Sequence, residues 1–406
     1  MSTGHQFTKI VLAGLAITVA FTVGGYGVDV GEQSVRREAN TYTRHSLTEA
    51  DGTFAKTSEV GQTRCSVPVF VTRENECSEY GRNPSLSTFA STTALSGTDA
   101  VEPADLLLDV PDIASVSDEM SPVDAVTARI ALRETFNYDF SDFSIENGRT
   151  VNGNSVSDDL VWSTVAFRNF PPDNNARGPR TNNNQESLTV DPLFAGTTGV
   201  PLGLNPFSVN AEGNLVITAS ARPAEISAAE LGTHEDTGQE FTVVSGALTS
   251  WPSFKQRYGY FEFRARMPNR GQGSWPALWM RGDNTSGQWP KTGEIDILEV
   301  VDEKLYQVIH YGESVKLREN SGRALSGFDD FDNFHSYGVL WTEDYLVFYV
   351  DQKAVHAIKN TGQIPDEQFM LITLQVGGNW PGSHDPSDLP FTMELDYARA
   401  YSIMGR

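Results

Sequence analysis

Short strand-like runs recur from about residue 126 onwards, and this recurrence restricts the fold more than any other feature. Apolar and polar residues alternate in runs such as NLVITASA, YGYFEFRARMP, LYQVIHYGE, YLVFYVD and FTMELDYARAY. Turn-forming segments such as EGN, NRGQG and NWPGSHDPSD separate them. No run shows the period of a long amphipathic helix. The pattern therefore predicts an all-β domain over residues 126–406, a two-sheet antiparallel jelly-roll sandwich.

One run, GEIDILEVV at residues 293–301, contains three carboxylates. Successive side chains of a strand point to opposite faces, so Glu294 and Asp296 share one face while the isoleucines face the core. In a regular strand Glu299 would point into the core, where an unpaired carboxylate is costly. One extra residue, a β-bulge near residues 297–298, would return Glu299 to the polar face, and bulges are enriched beside active sites. We therefore expect three carboxylates in a row on one face.

The spacing of these carboxylates fits the retaining hydrolysis of glycosidic bonds. With a bulge, Glu294 and Glu299 lie about 13 Å apart at Cα, and side chains that each reach about 4 Å leave a gap of about 5 Å. Retaining glycosidases hold their nucleophile and their acid about 5–5.5 Å apart. Asp296 lies between the two, where it can hydrogen-bond the nucleophile and raise the pKa of the acid. A solvated acidic strand face and a calcium or magnesium site are the alternatives.

Tryptophan residues accompany this motif along the chain. Trp275 and Trp289 lie beside Pro and Gly and are expected to be exposed in loops, whereas Trp279 is expected in the core. Downstream, GGNWPG places Asn379 and Trp380 in a Gly-rich turn. Aromatic faces stack on sugar rings while carboxylates and amides bind hydroxyls, so this composition predicts a carbohydrate site.

The N-terminal 28 residues have the composition of an export segment. Lys9 precedes an uncharged apolar run over residues 10–28. A short positive region followed by an apolar run predicts a signal peptide, and a run of this length also fits a membrane anchor. We therefore expect a secreted protein, or one attached to the membrane through residues 10–28 with its catalytic domain outside.

Residues 29–125 are rich in Ser, Thr, Asp and Glu and show no sustained period. Within Asp29–Asp124 there are 17 acidic and 7 basic residues. This composition predicts an acidic, disordered linker. In an exported chain Cys65 and Cys77 are expected to form a disulfide, with a small stapled module around them as the alternative to a plain linker.

The formal net charge of the whole chain is −23. A strongly acidic surface argues against nucleic acid and against anionic membrane surfaces as partners. It is compatible with a neutral polymer as substrate. We expect a monomer that binds a polysaccharide.

Taken together, the motifs resemble glycoside hydrolase family 16. Within that family, the chain is similar to the laminarinase-like endo-β-glucanases. The similarity lies in WPKTGEIDILEVV, in YGYFEFRARMPNRGQGSWPALWM before it, and in FHSYGVLWTEDYLVFYVD, LQVGGNWPG and MELDYARAY after it. The similarity covers roughly residues 126–404. It implies a concanavalin A-like jelly roll with an open cleft and a retaining double displacement. By this resemblance Glu294 is the nucleophile, Glu299 the general acid/base and Asp296 the assisting carboxylate.

The resemblance also implies binding residues. The substrate-binding candidates are Asn183, Trp275, Trp289, His310, Gln375, Asn379 and Trp380. For His310 the alternative is a partly buried structural histidine. Many family members carry a structural calcium, for which Asp396 is the matching ligand, and no cofactor is implied for catalysis.

These inferences predict an endo-acting, retaining hydrolase of β-1,3- or mixed β-1,3/1,4-glucan. One alternative is the same chemistry on agar, carrageenan or an exopolysaccharide. Another is transfer to a sugar acceptor, which uses the same carboxylates because it only replaces water. The third is a non-catalytic glycan-binding domain. Loss of Glu294 or Glu299 would mark such a binding domain, and both residues are present.

Overall fold

The computed structural model describes a defined subset of the chain. The described residues are 20–23, 26–29, 104–111, 126–146, 148–151, 154–165, 184–234, 237–251, 253–268, 271–284, 287–325 and 327–404. The chain divides into two compact units, Met1–Glu79 and Tyr80–Arg406. The predictions for Cys65, Cys77 and Asn183 lie outside the described residues.

The described part of the first unit is an antiparallel hairpin. Its strands are β1 (Ala20–Val23) and β2 (Tyr26–Asp29). They overlap the apolar run predicted as a signal peptide or anchor, and β2 ends one residue beyond it. Within the part of the chain that the structure describes, no helix has the length and apolar character needed to cross a membrane.

In the described part of the second unit, nearly all of the regular secondary structure is β-strand. The first of them are β3 (Leu106–Pro111), β4 (Val126–Asp139), β5 (Thr150–Val151), β6 (Asn154–Ser155), β7 (Ser163–Thr164), β8 (Ser187–Thr189), β9 (Phe207–Val209), β10 (Leu215–Ala221), β11 (Val243–Ser245) and β12 (Ala247–Thr249). The chain continues with β13 (Gly259–Arg266), β14 (Ser274–Gly282), β15 (Glu294–Val301), β16 (Lys304–Gly312), β17 (Arg318–Ala324), β18 (His335–Trp341), β19 (Tyr345–Val350), β20 (Lys353–Lys359), β21 (Gln368–Val376) and β22 (Phe391–Ile403). Where the structure describes this unit, the helical segments are α1 (Ala228–Leu231) and the 3₁₀ turns Phe140–Asp142, Val315–Leu317 and Pro386–Asp388.

The strands form two large sheets and a small β5–β6 hairpin. An eleven-stranded sheet has the order β20-β19-β18-β13-β22-β10-β11-β8, with β4 beside β22, β3 beside β4 and β9 beside β10. A seven-stranded sheet has the order β17-β16-β15-β14-β21-β12-β7. Neighbouring strands run antiparallel, apart from the parallel pair β8–β11. The predicted two-sheet antiparallel sandwich is confirmed.

The main core lies between the two sheets. Phe261 and Phe263 of the larger sheet and Met280, Ile295 and Ile297 of the smaller one all belong to it and are fully buried. Burial of one such side chain stabilises the fold by about 1.5–3 kcal/mol. Because strand side chains alternate, filling the core from one face of the seven-stranded sheet leaves its opposite face available for a site.

A second apolar cluster lies on the other face of the eleven-stranded sheet. Leu108 and Val110 of β3 are 1% and 2% exposed and pack with Tyr260 and Leu340. The prediction that residues 29–125 are linker throughout is therefore wrong at β3. The alternating apolar residues of LLLDVP cover a sheet face and are too few to be recognised as a strand in an acidic context.

A histidine of the larger sheet makes the stability of the fold depend on pH. His356 of β20 is buried and stacks on Phe348, with the ring centroids 5.4 Å apart. Burial, and next the charge of Arg323, lowers its pKa from the usual 6.5 to about 4. Between these pH values the unfolded chain binds a proton that the folded chain excludes. The stabilisation is therefore complete above pH 6.5 and is lost as the pH falls, by about 3 kcal/mol at pH 4.

Urea unfolding at pH 7 and pH 4 tests this prediction. His356→Leu removes the titrating group and retains an apolar side chain in the core. Contributions from carboxylates are common to both proteins and cancel in the difference between them. We expect the free energy of unfolding to fall less in the variant than in the wild type. Equal losses in the two proteins would contradict the prediction.

Candidate active site

The three carboxylates lie on one face of β15 in the seven-stranded sheet. Their Cα partners on the neighbouring β14 are Arg281 for Glu294, Trp279 for Asp296 and Ala277 for Glu299. These partners are two residues apart each time, whereas Asp296 and Glu299 are three apart. The pairing register accordingly shifts between Asp296 and Glu299 against both neighbouring strands. This shift is the irregularity that the sequence predicted, and it places Glu299 on the face of the other two.

The opposite face of β15 explains why the shift occurs. Ile295, Ile297 and Leu298 are all fully buried in the main core. Two consecutive core residues, 297 and 298, can point the same way only if the alternation of the strand is interrupted. The packing of Ile297 and Leu298 in the core therefore requires the register shift, and this shift places the three carboxylates on one face.

Glu294 lies in a nearly closed environment. Its side chain is 15% exposed. Burial raises its pKa to about 7, and the neighbouring charge of Asp296 adds to this effect. The charges of His310 and Arg281 and the Trp289 indole act in the opposite direction. Burial therefore favours the neutral form of the Glu294 carboxyl group, whereas these neighbouring groups favour its charged form.

The pKa values of Asp296 and Glu299 are also raised, in both cases chiefly by burial. For Glu299 the charge of Asp296 is the next contribution. Arg318 opposes the shift at Asp296, and the hydrogen bond from Trp275 opposes it at Glu299. Three adjacent buried carboxylates thus carry fewer than three negative charges near neutral pH. A protonated Glu299 has the state that a general acid requires.

His310 contacts the carboxylates from the neighbouring strand β16, where it is the Cα partner of Glu294. Its Nε2 lies 3.2 Å from Asp296 Oδ2 and 4.0 Å from Glu294 Oε1. His310 therefore lies beside the carboxylates, and its role in binding substrate stays a prediction. Within the described residues, these three side chains are the group whose ligand atoms, all within 4.8 Å of one another, could hold a metal ion.

Three aromatic side chains surround Glu299. Trp275 donates its indole N–H to Glu299 Oε1 at 3.0 Å. Trp380 packs edge-to-face on both Trp275 and Tyr306, with centroid distances of 5.4 and 5.0 Å, and is 38% exposed. Tyr306, the Cα partner of Glu299 on β16, was not predicted. It precedes His310 by four residues in LYQVIHYGE, so the period of a strand could have identified it.

The expected exposures of Trp275 and Trp279 are wrong. Trp275 is inside β14 and only 9% exposed, and Trp279 is partly exposed on the side of Asp296. The alternation of β14 explains both positions, because Leu278 and Met280 fill the core. Trp289 precedes β15 and is partly exposed, with the Arg318 guanidinium 5.6 Å from its ring centroid.

The remaining predicted amides lie towards the Trp380 end of the site. Gln375 of β21 is the Cα partner of Trp275 and is partly exposed. Asn379, in the loop after β21, accepts a hydrogen bond of 3.0 Å from Asn184. The predicted binding residue Asn183 lies just outside the described residues, and Asn184 is its neighbour in the sequence.

A carboxylate–histidine contact that could not be predicted from the sequence holds this loop. Glu186 Oε2 accepts the backbone N–H of His384 at 3.0 Å and also contacts its ring Nδ1. The Glu186 and His384 side chains are 15% and 7% exposed. Gly377 packs against Glu186 at φ +72°, and a Cβ there would come within 2.5 Å of the carboxylate. The loop that carries Asn379 and Trp380 therefore depends on Glu186 for its position.

We expect Glu186→Gln to raise KM for the polysaccharide about tenfold with little change in kcat. A hydrogen bond to a charged group contributes about 1.5–3 kcal/mol, and its loss would displace the Trp380 loop while leaving β15 intact. Steady-state kinetics on the polymer measures the effect. Glu230→Gln, at the exposed capping box of α1, is the matched control. A fall in kcat at unchanged KM would contradict this role.

Among the described residues, Asp396 is not part of a group of carboxylates and imidazoles that could hold a metal ion. It is on β22, and its carboxylate forms an ion pair with Arg264 of β13. Two residues along each strand, Arg266 pairs with Glu394. Because guanidinium groups neutralise both carboxylates, these side chains do not fit a calcium site with Asp396 as ligand.

A two-sheet sandwich that presents aligned carboxylates beside partly exposed aromatic side chains has the chemical groups expected of a β-sandwich glycoside hydrolase. Residues 205–399 match the family model of Glycosyl hydrolases family 16. The match includes β15 with its three carboxylates, and over this part the chain is similar to that family.

Similar proteins support this assignment. The endo-1,3-1,4-beta-glycanase ExsH of Rhizobium meliloti is 33% identical over 317 residues, which cover 75% of this chain and 61% of the relative. The endo-1,3-1,4-beta-glycanase EglC of the same organism is 34% identical, over 68% of this chain and 53% of its own length. The chain thus spans less than two thirds of these relatives. The laminarinase catalytic domain of Thermotoga maritima has a similar solved structure, with a TM-score of 0.50, 26% identity and coverage of 68% of this chain and 99% of that domain.

Proposed function

We propose that this domain is an endo-acting, retaining hydrolase of β-glucans with β-1,3 or mixed β-1,3/1,4 linkages. The observation that carries the proposal is the alignment of Glu294, Asp296 and Glu299 on one face of β15 through the register shift. The similarity to two endo-1,3-1,4-beta-glycanases and to a laminarinase supports glucan as the substrate class. Hydrolases of this family need no cofactor for catalysis.

In the first half of the reaction, a carboxylate oxygen of Glu294 attacks the anomeric carbon and forms a glycosyl ester. The glycosidic C–O bond breaks, and Glu299 gives its proton to the departing oxygen. Burial raises the pKa of Glu299 and so favours the protonated form that this step requires. The Trp275 indole N–H holds the Glu299 carboxyl group in position.

In the second half, Glu299 has become a carboxylate and accepts a proton from water. The water oxygen attacks the anomeric carbon, the ester bond to Glu294 breaks, and Glu294 returns to its initial state. Two inversions at one carbon give overall retention of configuration. His310 and Asp296 lie beside Glu294 and act on it in opposite directions: the charge of His310 lowers the pKa of the nucleophile, and the charge of Asp296 raises it.

Transfer to a sugar acceptor in place of water is the alternative outcome of the same ester, and another glycan is the alternative substrate. The Trp380 loop and the Trp289 side chain flank the carboxylates and would determine which sugars fit. We also propose that the protein acts outside the cell, because residues 1–28 have the composition of an export segment and a polymer cannot enter the cell intact.

Incubation of the purified chain with laminarin, mixed-linkage glucan, agarose, carrageenan and xyloglucan tests the substrate class. We expect short oligosaccharides from laminarin or mixed-linkage glucan, with early products of several lengths, as endo cleavage requires. Release of monosaccharide alone would contradict endo action. Cleavage only of agarose or carrageenan would contradict the glucan assignment, and binding without cleavage would favour a glycan-binding domain.

A further inference from the structure

We propose that Glu294, Asp296 and His310 form a binding site for a divalent transition-metal ion such as Zn²⁺, which inhibits the domain reversibly. The ligand atoms come from two adjacent strands, β15 and β16, and all lie within 4.8 Å of one another. The His310 Nε2 to Asp296 Oδ2 distance is 3.2 Å and the His310 Nε2 to Glu294 Oε1 distance is 4.0 Å. Donor atoms of a tetrahedral zinc site lie about 3.4 Å apart, so small side-chain rotations suffice.

A second observation points to a ligand at the same place. Asp296 is 3% exposed, and its Oδ2 makes no hydrogen bond of good geometry although His310 Nε2 lies close to it. Buried polar atoms that lack a partner are uncommon in folded proteins. A cation between the carboxylates and the imidazole would satisfy this oxygen and would offset the repulsion between Glu294 and Asp296.

The donor set selects the kind of metal. One imidazole and two carboxylates suit Zn²⁺ and Cu²⁺, whereas Mg²⁺ and Ca²⁺ prefer six or more oxygen ligands. Three protein ligands with a fourth position open to water or substrate is the usual arrangement of a catalytic zinc site. Glu294 and His310 remain partly exposed, so the open position faces solvent.

The functional consequence follows from the identity of the ligands. A bound ion would occupy the carboxylate oxygens of Glu294 with which the proposed reaction attacks the sugar. Zinc and an oligosaccharide would then exclude each other. The binding itself does not depend on the proposed activity, so it can be measured even if the domain hydrolyses no glucan.

Isothermal titration of the full chain with ZnCl₂ tests the proposal. We expect one site that His310→Ala and Asp296→Asn each weaken at least about tenfold, with Cu²⁺ binding more tightly than Zn²⁺ and with Mg²⁺ and Ca²⁺ giving no heat at this site. Sites elsewhere in the chain contribute equally to all variants and cancel. Circular dichroism verifies that each variant is folded. If one of the two variants does not fold, the other still tests the site.

His335→Ala is the matched control. His335 also lies between two carboxylates, but its Nε2 faces Asp330 at 3.3 Å and its Nδ1 faces Asp351 at 2.7 Å, so the ligand atoms do not converge on one point. We expect this variant to bind zinc as the wild type does. Zinc affinity that is unchanged in both His310→Ala and Asp296→Asn would overturn the proposal, as would an equal loss in His335→Ala.

Discussion

Replacement of the nucleophile by its amide, Glu294→Gln, is expected to lower kcat on the glucan by at least about 10⁴-fold. The amide has nearly the same shape but cannot form the glycosyl ester. The loss corresponds to about 5.5 kcal/mol of transition-state stabilisation. Because the substitution also removes one of three buried, mutually repelling carboxylates, we expect the variant to be at least as stable to heat as the wild type.

Two measurements separate a chemical loss from a structural one. Thermal unfolding followed by circular dichroism reports on the fold, and calorimetric titration with a laminari-oligosaccharide reports on binding. We expect a normal melting temperature and a Kd within about threefold of the wild type, since Gln keeps the hydrogen-bonding shape of Glu. Normal folding with unchanged activity would contradict the role of Glu294.

The second large effect is expected for Glu299→Gln, and it should depend on the leaving group. On the polymer the departing oxygen needs a proton, so we expect a loss of about 10²–10⁴-fold. A dinitrophenyl β-glycoside has a leaving group that departs without protonation. For this substrate the first half of the reaction should be nearly unaffected, and a burst of dinitrophenol should precede a slow second half.

The comparison between the two amides makes this prediction specific. Glu294→Gln should lose activity on both substrates, because no leaving group replaces the attacking oxygen. Glu299→Gln should lose activity on the polymer but should still release dinitrophenol from the aryl glycoside in the first half of the reaction. Equal losses on the polymer and on the aryl glycoside in Glu299→Gln would show that Glu299 is not the proton donor.

Local patterns explain how much of the structure the sequence could predict. The alternation of strands specified the sandwich, and the conflict between Glu299 and the apolar residues at 297–298 specified the register shift. Both are properties of consecutive residues, which the period of a strand makes visible. The family resemblance implied that His310 binds substrate, but its position opposite Glu294 could not be predicted, since the sequence alone does not show which strands pair.

Contacts between distant segments could not be predicted. Glu186 and His384 are separated by 198 positions, and only the approach of β8 to the loop after β21 brings them together. The exposures of Trp275 and Trp279 depend on where β14 begins, and a boundary error of a few residues changes a strand position into a loop position. The pairing of Asp396 with Arg264 likewise depends on which strand lies beside β22.

Trapping of the glycosyl ester tests the central claim most directly. A dinitrophenyl 2-deoxy-2-fluoro-β-glucoside of a laminari-oligosaccharide forms the ester but hydrolyses slowly, because fluorine destabilises the second transition state. Mass spectrometry of the digested protein should then find the added sugar mass on the peptide that contains Glu294. A label on another residue, or complete turnover with no labelled peptide, would contradict the assignment of Glu294 as the nucleophile of a retaining hydrolase.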